Sequence, residues 1–270
     1  MTDDDLAEIE RTAVDLATLG GARIVAGLGR ALTVLYKSSG GTEAHFRDPV
    51  SEIDRDVEAL IRAEVASRFP GHDVLGEEDE ARPGHGHAVI WAVDPIDGTT
   101  NFVNGFPLFA SSIGVLRDGR AIAGAVWCST SHALRPGTYH ARLGGKLYFE
   151  AEELALRHNP AIRQRLVGLA TPAGDGLPWD MRRTGSASLE CAFVAAGLLE
   201  VARFDSPNVW DIAGGIPLVL AAGGVVRVKG SDGWAELDSF HEGANDIRDW
   251  RRPVILGRAE AVEELCSRSP

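Results

Sequence analysis

The chain has 270 residues, enough to bury one large core or two intimate halves without help from disulfides. Its three cysteines, Cys128, Cys191 and Cys266, are odd in number and show no CxxC spacing, which argues against a disulfide framework and suits a reducing cytoplasm. A net charge of −12 excludes a general nucleic-acid or anionic-membrane surface, so an anionic substrate would need bound cations to invert the local field.

The segment Met1 to Glu10 is acidic and lacks the apolar stretch of a secretory signal. Leu6, Ile9, Ala13, Leu16, Ala17 and Ile24 recur at helical spacing and predict an amphipathic helix over 3–34, with Gly20-Gly21 as its candidate break. After a loop at Lys37 to Gly41, Ile53, Val57, Leu60, Ile61 and Val65 predict a second helix from Ser51 to Phe69, closed by Pro70-Gly71. Val74-Leu75-Gly76 reads as a short strand running into Glu77-Glu78-Asp79-Glu80, and residues 81–87 as a loop. Its His85 and His87 suit a loop better than a metal site, since no rigid scaffold is predicted around them.

The apolar run Ala88 to Val93 has strand length and composition and ends at Asp94-Pro95. Phe109 to Leu116 and Ala121 to Trp127 flank Arg117-Asp118-Gly119-Arg120, which predicts a hairpin with an Asp-Gly turn. Residues 129–180 read as short strands alternating with charged, helix-like stretches. Leu189 to Leu199 and Asp211 to Ala222 predict helices, and Gly223-Gly224 leads into a strand at Val225 to Val228. The most apolar stretch, Ile212 to Val228, is broken by glycines and Pro217 and falls short of the roughly twenty residues of a membrane span. The mixture of helices and strands, without repeats, favours layered α/β or α+β architecture.

The chemistry concentrates in Trp91-Ala92-Val93-Asp94-Pro95-Ile96-Asp97-Gly98-Thr99-Thr100-Asn101-Phe102. Two carboxylates three apart at the exit of an apolar strand, stiffened by a proline, can converge on a hard cation such as magnesium. Gly98-Thr99-Thr100 opens a helix whose first N–H groups are available to a phosphate. The same residues also read as a plain turn with Asp97 or Thr99 as a cap. Glu77-Glu78 alone reads as solvated surface, Asp54 as an exposed helix charge, and Asp211 as an N-cap. Together, carboxylates at several element ends, two of them after apolar runs, would be costly to bury unless a cation neutralised them.

Glu77-Glu78 after Gly76, then Asp94-Pro95-Ile96-Asp97-Gly98-Thr99-Thr100-Asn101-Phe102, then Trp210-Asp211-Ile212-Ala213-Gly214 resemble the signature motifs of the inositol monophosphatase family in type, order and spacing. Weaker similarity extends from Lys37-Ser38 through Val225. The resemblance implies an αβαβα sandwich of the inositol monophosphatase and fructose-1,6-bisphosphatase type: a single catalytic domain over 1–270 whose halves, roughly 1–150 and 151–270, hold the site between them. It implies a cytoplasmic, lithium-sensitive, commonly homodimeric enzyme with two or three Mg2+ per site, acting on a small molecule rather than on nucleic acid or membrane.

The resemblance assigns metal binding to Glu77, Asp94, Asp97, Asp211 and the carbonyl of Ile96. Thr99 and Asp54 would orient the attacking water, Glu77 would also serve the water network, and Glu78 would fix a ligand or water. Gly98 and Thr99 would grip phosphate oxygens, alongside Ile96, Asp97 and Asp211 at the substrate. Gly185-Ser186-Ala187 would meet the alcohol, although Ser186 also reads as the N-cap of the following helix. Where inositol phosphatases carry a glutamate for the ring hydroxyls, this chain offers Asp205 within Phe204-Asp205-Ser206-Pro207-Asn208. The reaction implied is hydrolysis of inositol monophosphate by a metal-activated water, with no Cys or Ser nucleophile. Histidinol phosphate, fructose 1,6-bisphosphate and phosphoadenosine phosphate are alternative substrates, and a non-catalytic, protein-binding role is the alternative of another class. After Gly144-Gly145-Lys146 the chain departs from the family, reading Leu147-Tyr148-Phe149-Glu150-Ala151-Glu152.

Overall fold

The structure is a computed structural model and describes residues 1–29, 34–36, 49–78, 88–155, 161–170, 178–242 and 246–268. The loop at Lys37 to Gly41, Asp79-Glu80 and the His85/His87 loop lie outside the described residues.

Helix α1 (Asp3–Gly27) starts with a capping box, in which Thr2 and Asp5 bond each other's backbone N–H groups, and three acids in its first turn favour the helix dipole. It runs unbroken through Gly20-Gly21 and ends seven residues earlier than its periodicity predicts, with 34–36 instead forming strand β1 (Val34–Tyr36) against β2 (Pro49–Ser51). The glycine pair is a packing device, because a Cβ at Gly21 would sit 2.2 Å from the Trp127 ring. Helix α2 (Glu52–Arg68) follows, within a residue of its predicted ends.

A seven-stranded sheet has the order β3-β4-β5-β6-β7-β8-β9, from β3 (Asp73–Gly76), β4 (Val89–Asp97), β5 (Ala110–Arg117), β6 (Arg120–Cys128), β7 (Gly137–Arg142), β8 (Tyr148–Phe149) and β9 (Glu152–Glu153). The hairpin between β5 and β6 turns at Asp118 and Gly119, whose φ values of 51° and 77° explain the Asp-Gly pair. Strand β4 does not stop at Asp94-Pro95. It continues to Asp97 through a shift of register against β5 between Asp94 and Asp97, and the short helix α3 (Thr99–Val103) begins after Gly98 at φ 90°.

A six-stranded sheet, in the order β11-β10-β12-β15-β13-β14, is built from β10 (Arg165–Leu169), β11 (Trp179–Arg182), β12 (Val201–Phe204), β13 (Val225–Gly230), β14 (Gly233–Glu236) and β15 (Val254–Gly257). Helices α4 (Ala187–Ala195), α5 (Val209–Ala213), α6 (Gly215–Ala221) and α7 (Ala259–Ser267) complete the chain. The single helix expected over Asp211 to Ala222 is two short ones meeting at Gly214. The charged stretches of 129–180 form no helix among the described residues.

Period-two alternation along β4 explains the layering. Val89, Trp91 and Val93 pack with α1 and α2 on one face, while Ile90 and Ala92 pack with α4, α5 and α6 on the other. The second sheet covers those helices with Ala202, Val226 and Leu256, and α7 packs on its far face against Val167, Val201 and Ile255. The result is the αβαβα sandwich. Two close contacts seat the inner layer: a Cβ at Gly114 would lie 2.5 Å from Ala213, and one at Gly124 2.1 Å from the Gly214 carbonyl. The α5–α6 junction thus rests directly on β5 and β6, next to Asp94 on β4. No helix of the described residues is long and apolar enough to cross a membrane.

Candidate active site

The end of β3, the end of β4, the start of α3 and the start of α5 meet around a cavity of about 310 Å3 lined by Glu77, Asp94, Ile96, Asp97, Gly98, Thr99, Thr100, Gly185, Ala187 and Asp211. Size does not distinguish it. Depressions beside α1 and at the β13–β14 turn measure about 530 and 560 Å3, but their acids are paired or exposed.

Asp94 is 2 % exposed, and its Oδ1 has no hydrogen-bond partner among the described residues. Burial first, and then the charges of Glu77, Asp97, Asp211 and Asp54, push its carboxyl well above the usual range. Burial raises Asp97 to about 6, although its Oδ2 accepts from the Ser188 N–H and from Ser186 Oγ at 3.0 Å. Asp211 is pushed up to about 8 by burial and by the charges of Asp97 and Glu77, against the pull of Asn208.

Taken alone, Asp54 reads as an exposed helix charge and Asp211 as an N-cap; in the structure Asp54 is buried and Asp211 lies inside its helix, with Asn208 as the cap. Each is the third residue of a helix and reaches back to the cap. Asp54 Oδ2 accepts from the Ser51 N–H at 2.8 Å, and Asp211 Oδ2 from the Asn208 N–H at 2.7 Å. The sequence signal for this is the capping-box spacing in Ser51-Glu52-Ile53-Asp54 and Asn208-Val209-Trp210-Asp211. Asp54 is 1 % exposed and is raised to about 6 by burial, with the charge of Glu77 adding to the effect. The Thr99 hydroxyl has two acceptors for its one hydrogen, Ile96 O at 2.7 Å and Asp54 Oδ1 at 3.2 Å.

Ser186 caps α4 by accepting from the Leu189 N–H while it donates to Asp97, so it fixes a carboxylate instead of opening onto the cavity. Glu78 and Asp205 are not among the lining residues. Glu78 donates its N–H to Glu58 Oε2 at 2.7 Å, and Asp205 pairs with Arg203 at 2.8 Å. Cys128, Cys191 and Cys266 are free and buried, and burial raises their thiols, which suits none of them as a nucleophile.

Sequence reasoning passed over a polar seam joining the two sheets. Asn101 Nδ2 on α3 donates to Thr184 O at 2.8 Å, while Thr184 donates from its N–H and Oγ1 to Glu190 Oε1 at 3.1 and 2.8 Å. Burial lifts Glu190 to about 7, with Thr184 pulling it down and Asp97 adding to the rise. A carboxyl raised on folding contributes stability fully below its unfolded pKa near 4.5, and loses it as pH climbs through about 7. Glu190→Gln keeps an acceptor for Thr184 without the charge. It is expected to melt higher than the parent above pH ~8, by about 1–3 kcal/mol, and to show no gain near pH ~4.5. Thermal melts at both pH values check this, and an equal difference at the two would contradict it.

Among the described residues the lining offers oxygen ligands, suited to a hard divalent cation. Among the described residues no three acidic, imidazole or thiol groups stand close enough to enclose an ion as they are. The orphaned Asp94 Oδ1 is the observation that decides the fit: a buried carboxylate oxygen without a donor lacks a positive partner.

A model of the inositol monophosphatase family matches residues 5–249. Inositol-1-monophosphatase of Rhizobium meliloti is 35 % identical over 192 residues, covering 66 % of this chain and 71 % of that protein. Fructose-1,6-bisphosphatase/inositol-1-monophosphatase of Thermotoga maritima is 31 % identical over 230 residues, covering 82 % and 86 %. In structure, extragenic suppressor protein suhB from Bartonella henselae superposes with a TM-score of 0.75 at 27 % identity, covering 97 % of this chain and 98 % of that one. With the motifs, the sandwich and the acidic cavity in agreement, the chain belongs to the inositol monophosphatase family and is a phosphoric monoester hydrolase.

Proposed function

We propose that this chain hydrolyses a small soluble phosphate monoester, with inositol monophosphate as the first candidate, and that it requires magnesium. The observation that carries the reading is the convergence of Glu77, Asp94, Asp97 and Asp211 on one cavity, with a buried Asp94 oxygen left without a donor. Magnesium held by these four carboxylates and the Ile96 carbonyl, in two or three ions, would screen the phosphate charge and lower the pKa of the attacking water.

The protein's own groups supply orientation and proton handling. Thr99 Oγ1 accepts a hydrogen from the water and donates its own to Asp54 Oδ1, 3.2 Å away, when Ile96 O is engaged elsewhere. Asp54, held by Ser51 and raised to about 6, keeps that acceptor aimed. The first N–H groups of α3 lack intrahelical partners and face phosphate oxygens. Gly185 and Ala187 leave room for the alcohol at the rim. Asp205 stays with Arg203, so the reading gives it no part in binding a sugar ring. The proposal includes a cytoplasmic homodimer sensitive to lithium.

Phosphate release from inositol 1-phosphate, fructose 1,6-bisphosphate, histidinol phosphate and phosphoadenosine phosphate, with and without magnesium, tests the reading. The bisphosphate belongs in the panel because the Thermotoga maritima relative carries both activities in its name. Magnesium-dependent turnover of inositol 1-phosphate above the others is the expected result. No turnover of any compound by folded, magnesium-loaded protein would overturn it.

A further inference from the structure

Among the described residues strand β3 lies at the edge of its sheet, so its backbone groups on one side have no neighbouring strand there. Glu77 donates its N–H to Val93 O on β4 at 3.2 Å, which turns residues 75 and 77 toward β4 and residues 74, 76 and 78 outward. Each outward residue is met by a charged side chain. Arg62 donates to Val74 O at 3.0 Å, Arg248 to Gly76 O at 3.0 Å, and the Glu78 N–H donates to Glu58 Oε2 at 2.7 Å. Glu58 and Arg62 are themselves paired at 2.8 Å, and Glu58 is 2 % exposed. Gly76 fits this arrangement because a Cβ there would lie 2.1 Å from the Glu58 carboxylate. Glu77 is therefore held on both flanks, by Arg248 on the residue before it and by Glu58 on the residue after it.

Arg248 arrives from the opposite half of the molecule. It lies in a 3-10 turn over Ile247–Asp249, capped by Asp246 and anchored by buried Ile247 and Trp250. Its guanidinium also stands 5.3 Å from the centre of the Trp210 ring, with Arg251 at 5.5 Å. One side chain thus touches the residue immediately before Glu77 and the residue immediately before Asp211. These two acids follow different strands, β3 and β12, and Arg248 joins the Gly76 carbonyl beside one to the Trp210 ring beside the other.

We propose that Arg248, together with Glu58, is a positioning residue of the phosphatase site: it sets the separation of Glu77 and Asp211, and through it the affinity for the divalent cation. The inference rests on the reading of Glu77 and Asp211 as metal ligands. Neither Arg248 nor Glu58 lines the cavity, so the expected signature is a change in metal affinity with the chemistry preserved.

Arg248→Met retains an unbranched stem against Trp210 but cannot donate to Gly76 O. Titrating magnesium into the metal-free protein, read by melting temperature and in parallel by turnover, should place its half-maximal response at about tenfold higher magnesium than the parent. Turnover at saturating magnesium should stay within about threefold, because no group at the cavity has been removed. Arg248→Lys, which keeps a donor, should shift the midpoint by an intermediate amount, and it carries the test if the methionine variant does not fold. A parental magnesium midpoint in either soluble variant would overturn the proposal, as would lost turnover at an unchanged midpoint. No magnesium response in the unmutated protein would instead sink the metal-dependent reading itself, and this inference with it.

Discussion

Asp94→Asn is expected to lose about 10³-fold in phosphate release and to melt higher than the parent in metal-free buffer. Both effects follow from the same atom. The Asp94 Oδ1 is buried without a donor among Glu77, Asp97, Asp211 and Asp54, so in the metal-free state the charged carboxylate is a liability and with a cation it is a ligand. Removing the ligand forfeits several kcal/mol of transition-state stabilisation, and each 1.36 kcal/mol is about tenfold in rate. Removing the charge relieves about 1–3 kcal/mol of strain in the metal-free fold, and the gain is greatest at high pH, where the parent carboxyl is ionised. Activity within about tenfold of the parent, or a lower metal-free melting temperature at high pH, would count against the assignment.

The parent protein should show the same conflict as a function of pH. Burial raises Asp54 and Asp97 to about 6 and Asp211 to about 8, all above their unfolded value of 3.8. Their contribution to metal-free stability is therefore complete below about pH 4 and is lost as pH rises through about 6 and then about 8. For Asp54, 1 % exposed, the rise from 3.8 to about 6 corresponds to about 3 kcal/mol, since a tenfold change in proton affinity is worth about 1.4 kcal/mol. Magnesium binds the ionised acids, so its stabilisation should grow over the same window, reaching about 2.7 kcal/mol where the ion is at a hundred times its dissociation constant. Melts at about pH 5.5 and about pH 8.5, each with chelator and with magnesium, measure this. A magnesium-induced rise that is equal at the two pH values, or larger at the lower one, contradicts the account.

Much of the fold was legible because local rules and tertiary packing agreed. The apolar run of β4, the Asp-Gly hairpin and the periodicity of α2 each carried a strong local signal. The chain diverged from expectation where a distant element decided the outcome. Gly20-Gly21 looked like a helix break, yet the pair lies inside α1 because Trp127, more than a hundred residues away, fills the space above it. Strand β4 runs past Asp94-Pro95 because β5 holds it through a register shift.

At the site, the residue types and their spacing were readable, but the way each acid is held was only half so. Asp54 and Asp211 carried a capping-box signal that fixes their orientation, and an exposed-charge or N-cap reading overlooked it. The supports from Asn101, Thr184, Glu190, Glu58 and Arg248 join segments far apart in sequence, where no local period announces them. Asp205 is the opposite case. It stood at a suggestive distance before Trp210, and its neighbour Arg203 claims it.

The most direct test of the central claim, that these acids form a cation site, is an anomalous-difference map from crystals of this chain soaked in manganese. A peak within about 2.5 Å of Asp94 Oδ1, absent in Asp94→Asn, is the expected result. Manganese bound elsewhere, with the Asp94 carboxylate still without a partner, would contradict it.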